Sequence, residues 1–303
     1  MPQDFEPIVP AAVRPGDKIA VIAPSSPFDR AQVLAGLDWL GERYQVEFEP
    51  SLFERTGYLA GSDERRLGEL DRFLRDPSVR AIIAARGGYG LTRIAERADF
   101  AALRRAPKWL IGFSDVTALH VETLRAGVAS LHAEHVGGLG RGEPRVRERF
   151  REALEAPLER HAYELRCERS GIARGPLVGG NLALLAACAA GGRLRLPAGA
   201  ILALEDVTEQ AYRVDRLVTS LIAAGTLDQV SGVVLGDFTD CPPSSGVEAF
   251  DVLRERLGAL RIPLASGLPF GHGAWNEPLT LGIAATLDAG AGQLTVGAAR
   301  AIA

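Results

Sequence analysis

Cysteine is scarce in this 303-residue chain, and its three copies, Cys167, Cys188 and Cys241, stand far apart. They form neither a disulfide framework nor a C-x-x-C pair. Cys188 lies inside the apolar run Leu182–Ala190 and is expected to be a small core residue. Lysine is scarcer still: of 34 basic residues only Lys18 and Lys108 are lysines, a bias that carries no functional reading. Excess charge is also lacking. A net charge of −4 gives no electrostatic ground for nucleic acid or an anionic membrane as partner. No stretch reaches the roughly 18 uninterrupted apolar residues that a membrane span needs. Met1–Asp17 is acidic and proline-rich, without the apolar core of a signal peptide. These absences lead to the expectation of a soluble cytoplasmic protein.

What is present is alternation. Lys18–Ala23 reads as a buried strand ending at Pro24-Ser25-Ser26-Pro27, and a helix-period stretch follows over Ala31–Arg43. Gln45–Glu49 is a weaker strand. Ser62–Arg75 is a helix with Ser62 as N-cap and Asp63 and Glu64 in its first turn, where acidic groups suit the dipole. Val79–Ala85 is another buried strand, broken by Arg86-Gly87-Gly88-Tyr89-Gly90, with a helix expected near Leu91. Strand, glycine turn and helix in repetition predict a doubly wound, mostly parallel sheet over residues 1–140. Residues 141–174, dense in arginine and glutamate, read as a solvated helix plus linker. Residues 175–303 predict a second α/β domain, with strands at Ala200–Leu204 and Ser231–Leu235, helices at Val214–Ala224 and Val247–Leu257, and antiparallel strands in the tail Leu279–Val296.

Ser114 stands where the apolar run Lys108–Phe113 gives way to a helix-like segment from Asp115. A serine at that junction either caps the helix or offers its hydroxyl as a nucleophile, with unpaired N–H groups of the helix start behind it. Acyl transfer by serine also needs a base and an acid that orients the base. Among five histidines, His120 falls within the helix after Ser114, and His132 and His135 could pack beneath the sheet. His161 lies in the charged segment. His272, in Pro269-Phe270-Gly271-His272-Gly273, would be an exposed imidazole on a flexible backbone. Glu205 leaves a strand end after four apolar residues and is the candidate orienting acid, with Asp206 as neighbouring competitor. The glycine run should emerge at the same sheet edge as Ser114, so the Gly88 N–H could face that of Asp115 across a bound carbonyl. It lacks the third glycine and the lysine of phosphate-binding fingerprints. No metal-ligand spacing is found, and no cofactor is expected.

Arg86-Gly87-Gly88-Tyr89-Gly90, Gly112-Phe113-Ser114-Asp115-Val116-Thr117, Gly180-Asn181-Leu182, Leu204-Glu205-Asp206 and Gly271-His272-Gly273 occur in the order seen in the LD-carboxypeptidase family. Gly57-Tyr58-Leu59-Ala60-Gly61 and Tyr212-Arg213-Val214-Asp215-Arg216 extend the resemblance from about Val13 to Leu287. Its best-known members are muramoyltetrapeptide carboxypeptidases, which are serine peptidases. The resemblance implies a triad of Ser114, Glu205 and His272, and an oxyanion hole from the backbone N–H groups of Gly88 and Asp115. It further implies a site in the cleft between two domains, removal of the terminal D-alanine from murein tetrapeptide, and a homodimer. Two other readings stand beside it: the microcin-immunity branch of the same family, which hydrolyses an aminoacyl-nucleotide, and a non-catalytic two-domain binding protein. The sparse aromatics between Arg141 and Gly199, Phe150 and Tyr163 with no tryptophan, favour the peptide over the nucleotide.

Overall fold

A computed structural model describes residues 6–297, which divide into two compact units meeting in sequence between Pro157 and Leu158. The first unit holds β1 (Lys18–Ile22), α1 (Arg30–Gly41), β2 (Gln45–Glu47), α2 (Asp63–Arg75), β3 (Val79–Ala84), α3 (Phe100–Arg105), β4 (Trp109–Gly112), α4 (Thr117–Arg125), β5 (Ser130–His132), α5 (Val136–Leu139) and α6 (Pro144–Glu155). Its five strands lie in the order β5-β4-β3-β1-β2, all parallel. Ile19–Ile22 and Trp109–Gly112 are buried throughout, as strands covered on both faces by crossover helices must be. The order reverses between β1 and β3, and at such a switch point the loops beyond the strand ends part to leave a crevice.

Local signals account for α2. Ser62 Oγ accepts the Arg65 N–H at 3.2 Å, and Asp63 and Glu64 fill the first turn. At the other end the buried Lys108 ammonium donates to the carbonyls of Phe73 and Leu74, each at 3.0 Å, and to that of Asp76 at 2.5 Å. A cation there answers the orphan carbonyls of the last turn. The segment after Gly90 departs from expectation. Instead of one helix it makes two 3₁₀ turns, Leu91–Arg93 and Ala95–Arg97, before α3. Gly90 enters at φ +134°, and the Leu91 N–H is drawn to the Asp115 carboxylate at 2.9 Å.

The second unit holds β6 (His161–Glu164), β7 (Arg166–Arg169), β8 (Ile172–Asn181), α7 (Leu182–Ala190), β9 (Ala200–Val207), α8 (Ala211–Ala223), β10 (Val230–Thr239), α9 (Ala249–Gly258), β11 (Leu264–Ser266), β12 (Leu279–Leu281), β13 (Ala284–Asp288) and β14 (Gln293–Val296). Its eight-stranded sheet runs β6-β14-β13-β8-β9-β10-β11-β7. The central strands β8 to β11 are parallel, and antiparallel strands flank them on both sides. Cys188 is buried in α7.

Residues 141–174 are not a separate linker. The charged helix is present as α6, but it belongs to the first unit: Phe150 meets Trp39 edge-on at 6.2 Å, and Glu155 accepts from Arg43 and from Tyr44 Oη at 2.5 Å each. The rest forms β6 and β7, the two edges of the second sheet, with β6 on β14 and β7 on β11. Charged edge strands resist pairing with other chains, which is why their sequence looks like a connector. Among the described residues no helix is long and apolar enough to cross a membrane.

Candidate active site

Ser114 follows β4 at φ +61°, a left-handed conformation that costs an L residue roughly 1–2 kcal/mol. The turn is tight because Gly112 stands at φ +150°, where a Cβ would press on Val116 at 2.7 Å. The hydroxyl caps neither the 3₁₀ turn Ser114–Val116 nor α4; their N-caps are Phe113 and Val116, without side-chain bonds. The capping alternative therefore falls away. What remains is a serine held on a strained strand-to-helix turn, the way exposed nucleophiles are presented at the edge of an α/β sheet.

The glycine run closes on this turn. A Cβ on Gly87 would lie 3.1 Å from Ser114 Cβ and 3.1 Å from the His135 ring, so any larger residue would press on both. Ser26, from the loop after β1, donates its N–H to Gly87 O at 3.3 Å and accepts the Tyr89 N–H on Oγ at 3.1 Å. Gly88, at φ +112°, sits over Ser26 where a Cβ would clash at 2.5 Å. The Asp115 N–H lies in the first turn after the strand, where no intrahelical acceptor exists.

Arg66, which the sequence reading passed over, ties these loops together. Wholly buried on α2, it donates to Pro24 O after β1 and to Gly90 O at 2.9 Å, and pairs with Asp63. An arginine in a helix of arginines gives no sequence signal; its role comes from the carbonyls it meets. Asp115 is buried beside it, and burial raises its carboxyl to about 6 against the pull of Ser25, the Leu91 N–H and Arg66.

Two histidines of this unit, His120 and His135, are structural supports. His120 Nε2 donates to Gly112 O at 2.9 Å and Nδ1 faces the Ser130 hydroxyl at 2.9 Å, while burial lowers the imidazole to about 4 and keeps it neutral. His135 stacks on Phe113 at 4.4 Å and bonds its backbone carbonyl at 3.1 Å. Both brace the strand end that carries Ser114.

In the second unit, the structure joins Glu205 and His272. Glu205 is fully buried near the end of β9, and its Oε2 lies 2.7 Å from His272 Nδ1. A carboxylate can only accept there, so Nδ1 carries the hydrogen and the neutral ring's lone pair sits on Nε2. Asp206, the competitor, is committed elsewhere. It accepts Asn181 Nδ2 at 2.9 Å and the Ala183 N–H at 2.9 Å, both at the start of α7, and its neighbour Val207 N–H at 2.8 Å. Burial raises its carboxyl to about 6. The glycines beside His272 do not make a slack loop. A Cβ on Gly271, at φ +114°, would meet Glu205 Oε2 at 2.5 Å, and one on Gly273 would overlap the Asp237 carboxylate. Among the described residues no group of three or more His, Cys, Asp or Glu could hold a metal ion.

Ser114, Gly88 and Asp115 thus belong to one unit, Glu205 and His272 to the other. A strained serine and a carboxylate-bound imidazole are the residue types of a hydrolase. The chain belongs to the LD-carboxypeptidase family: residues 19–133 match the family's N-terminal domain and residues 174–287 its C-terminal domain. The murein tetrapeptide carboxypeptidase of Pseudomonas aeruginosa is 34% identical over 89% of this chain and 93% of its own length. The crystal structure of muramoyltetrapeptide carboxypeptidase from Oxalobacter formigenes superposes with a TM-score of 0.84 at 30% identity, covering 93% of this chain and 99% of that one. The microcin C7 self-immunity protein, in complex with aspartyl sulfamoyl adenosine, shares the fold with a TM-score of 0.83 at 21% identity, over 97% of this chain and 99% of its own.

Proposed function

We propose that this protein is a serine-type LD-carboxypeptidase that removes the terminal D-alanine from murein tetrapeptide in the cytoplasm, returning the tripeptide to cell-wall synthesis. Ser114 Oγ attacks the scissile carbonyl while His272 Nε2 takes its proton. The N–H groups of Gly88 and Asp115 receive the charge on the tetrahedral oxygen, each contributing about 3 kcal/mol to the transition state. Collapse breaks the C–N bond, and His272 returns the proton to the departing D-alanine amine. Water, deprotonated by the same imidazole, then releases the acyl group from Ser114. Glu205 holds the tautomer throughout and stabilises the imidazolium.

The observation that carries this reading is the 2.7 Å bond between the fully buried Glu205 and His272 Nδ1. A buried carboxylate is unfavourable unless paired, and pairing it with Nδ1 readies Nε2 as a base. A protein that only binds has no use for that pair or for strain at Ser114. Within residues 141–199, Phe150 and Tyr163 are both buried, so that segment offers no open ring on which a nucleotide base could stack.

The test is release of D-alanine from purified murein tetrapeptide, with Ser114→Ala as control and a fluorophosphonate probe to label the nucleophile. The tetrapeptide should be hydrolysed and labelling should require Ser114. A larger kcat/KM for an aminoacyl-nucleotide would sink the murein assignment and leave the triad standing. Turnover undiminished in Ser114→Ala would sink the triad.

A further inference from the structure

His272 is held by more than Glu205. Each glycine beside it admits a carboxylate: Gly271 that of Glu205, Gly273 that of Asp237. Asp237 lies on β10, next in the sheet to the β9 strand that carries Glu205. Its backbone N–H donates to Phe270 O at 3.0 Å, and its carboxylate accepts the Gly273 N–H. Gly236, one residue earlier, lies so close to Phe270 that a Cβ would not fit. Further ties of the loop include the Gly271 N–H to Asn276 Oδ1 at 3.0 Å and the Glu277 N–H to Pro269 O at 2.8 Å.

Asp237 therefore grips the backbone on both sides of the histidine, at Phe270 through its N–H and at Gly273 through its side chain. We infer that Asp237 is a positioning residue for the His272 base, a second carboxylate that fixes the loop while Glu205 fixes the ring. The inference rests on the reading of His272 as base. Two anchors matter because Glu205 alone restrains Nδ1 but leaves the ring free to pivot about that bond, and a displacement of about 1 Å at a reacting atom can lower turnover by roughly 10²-fold. Burial, and then the charge of Glu205, hold the Asp237 carboxyl above the usual carboxylate range. The two acids thus feel each other across the loop they share.

The full-length Asp237→Ala and Asp237→Asn proteins test this, together with Gly273→Ala, which pushes the loop off the carboxylate from the other side. Asp237→Ala and Gly273→Ala should lower kcat by roughly 10–100-fold with KM within about twofold of wild type. The NMR resonance of the His272 Nδ1–H should broaden or vanish in both. Asparagine still offers an oxygen to the Gly273 N–H, so Asp237→Asn should recover most of kcat and keep the resonance. The acidic limb of its kcat/KM profile should move to lower pH, because one negative charge fewer disfavours an imidazolium nearby. The inference is overturned if Asp237→Ala keeps kcat within twofold and the Nδ1–H signal intact, or if alanine and asparagine fall equally with an unmoved pH profile. Undiminished turnover in His272→Ala would instead refute the base assignment, while the Nδ1–H signal would still report on Asp237. Should Asp237→Ala not fold, Asp237→Asn and Gly273→Ala decide the matter.

Discussion

Backbone strain at Ser114 separates stability from activity at a single residue. At φ +61° any L side chain is strained, whereas glycine is not. Ser114→Ala should abolish turnover with little change in melting temperature, since it removes one hydroxyl and no core volume. Ser114→Gly should be equally inactive yet melt higher than Ser114→Ala, by the equivalent of about 0.5–1 kcal/mol. Calorimetry on the two variants checks this; a lower melting point for the glycine variant would show that the turn is not strained. The two adjacent acids should part in the same way. Glu205→Gln leaves the ring without its charged partner and should reduce kcat by roughly 10²–10⁴-fold at nearly constant stability. Asp206→Ala unpairs two donors at the start of α7 and the Val207 N–H at the end of β9, and should lower stability by about 2 kcal/mol or more. The sequence named both carboxylates and preferred Glu205 for its strand-end position. Only the structure shows that Asp206 has partners of its own, Asn181 and Ala183 among them.

Whole elements were legible in the sequence where their signals are local. Ser62 with Asp63 and Glu64 announced α2, and the buried runs announced β1, β3 and β4. The misreadings share one cause, which is that distant partners decide. β6 and β7 are short and charged, and they become strands only because β14 and β11, about 130 and about 100 residues onward respectively, offer open edges. Gly271 and Gly273 looked like flexibility, because nothing near them in sequence foretells the carboxylates of Glu205 and Asp237. Lys108 is of the same kind: a lysine at the head of an apolar strand whose purpose is the C-terminus of α2, more than thirty residues earlier. Lys108→Met keeps the buried stem but removes the donors from three carbonyls. It should destabilise the protein by about 3 kcal/mol while leaving kcat/KM of the folded enzyme unchanged. Denaturant unfolding measures the first quantity, and a loss below about 1 kcal/mol would mean that the helix end is satisfied without it.

Over the whole molecule, buried titratable groups set how stability responds to pH, and their signs oppose one another. Burial raises Glu69 to about 7, and Asp115 and Asp206 to about 6, from their ordinary values of 4.5 and 3.8. In the window between those values the folded chain binds protons that the unfolded chain does not. Stability from these three groups therefore grows as pH falls from 8 and is lost as pH rises through 6 to 7. His120 works the other way. Its folded value of about 4 lies below the ordinary 6.5, so its contribution is present above 6.5 and is lost as pH falls toward 4. Three carboxyls outweigh one imidazole down to about pH 4, below which they are neutral in both states. There the ion-paired Asp63, Asp76 and Asp99, whose carboxyls are held low by hydrogen bonds to Arg93 and Arg66, Ser78, and Arg75 respectively, begin to lose their partners' benefit. The melting temperature should accordingly be higher at pH 5.5 than at pH 8, with a maximum between about pH 4 and 5. His120→Gln, which keeps a donor for Gly112 O but cannot titrate, should steepen the gain between pH 6.5 and 5 even though it lowers overall stability. A melting temperature that climbs from pH 5.5 to 8 in the wild type would show that Glu69, Asp115 and Asp206 are buried as anions, each already compensated by its donors.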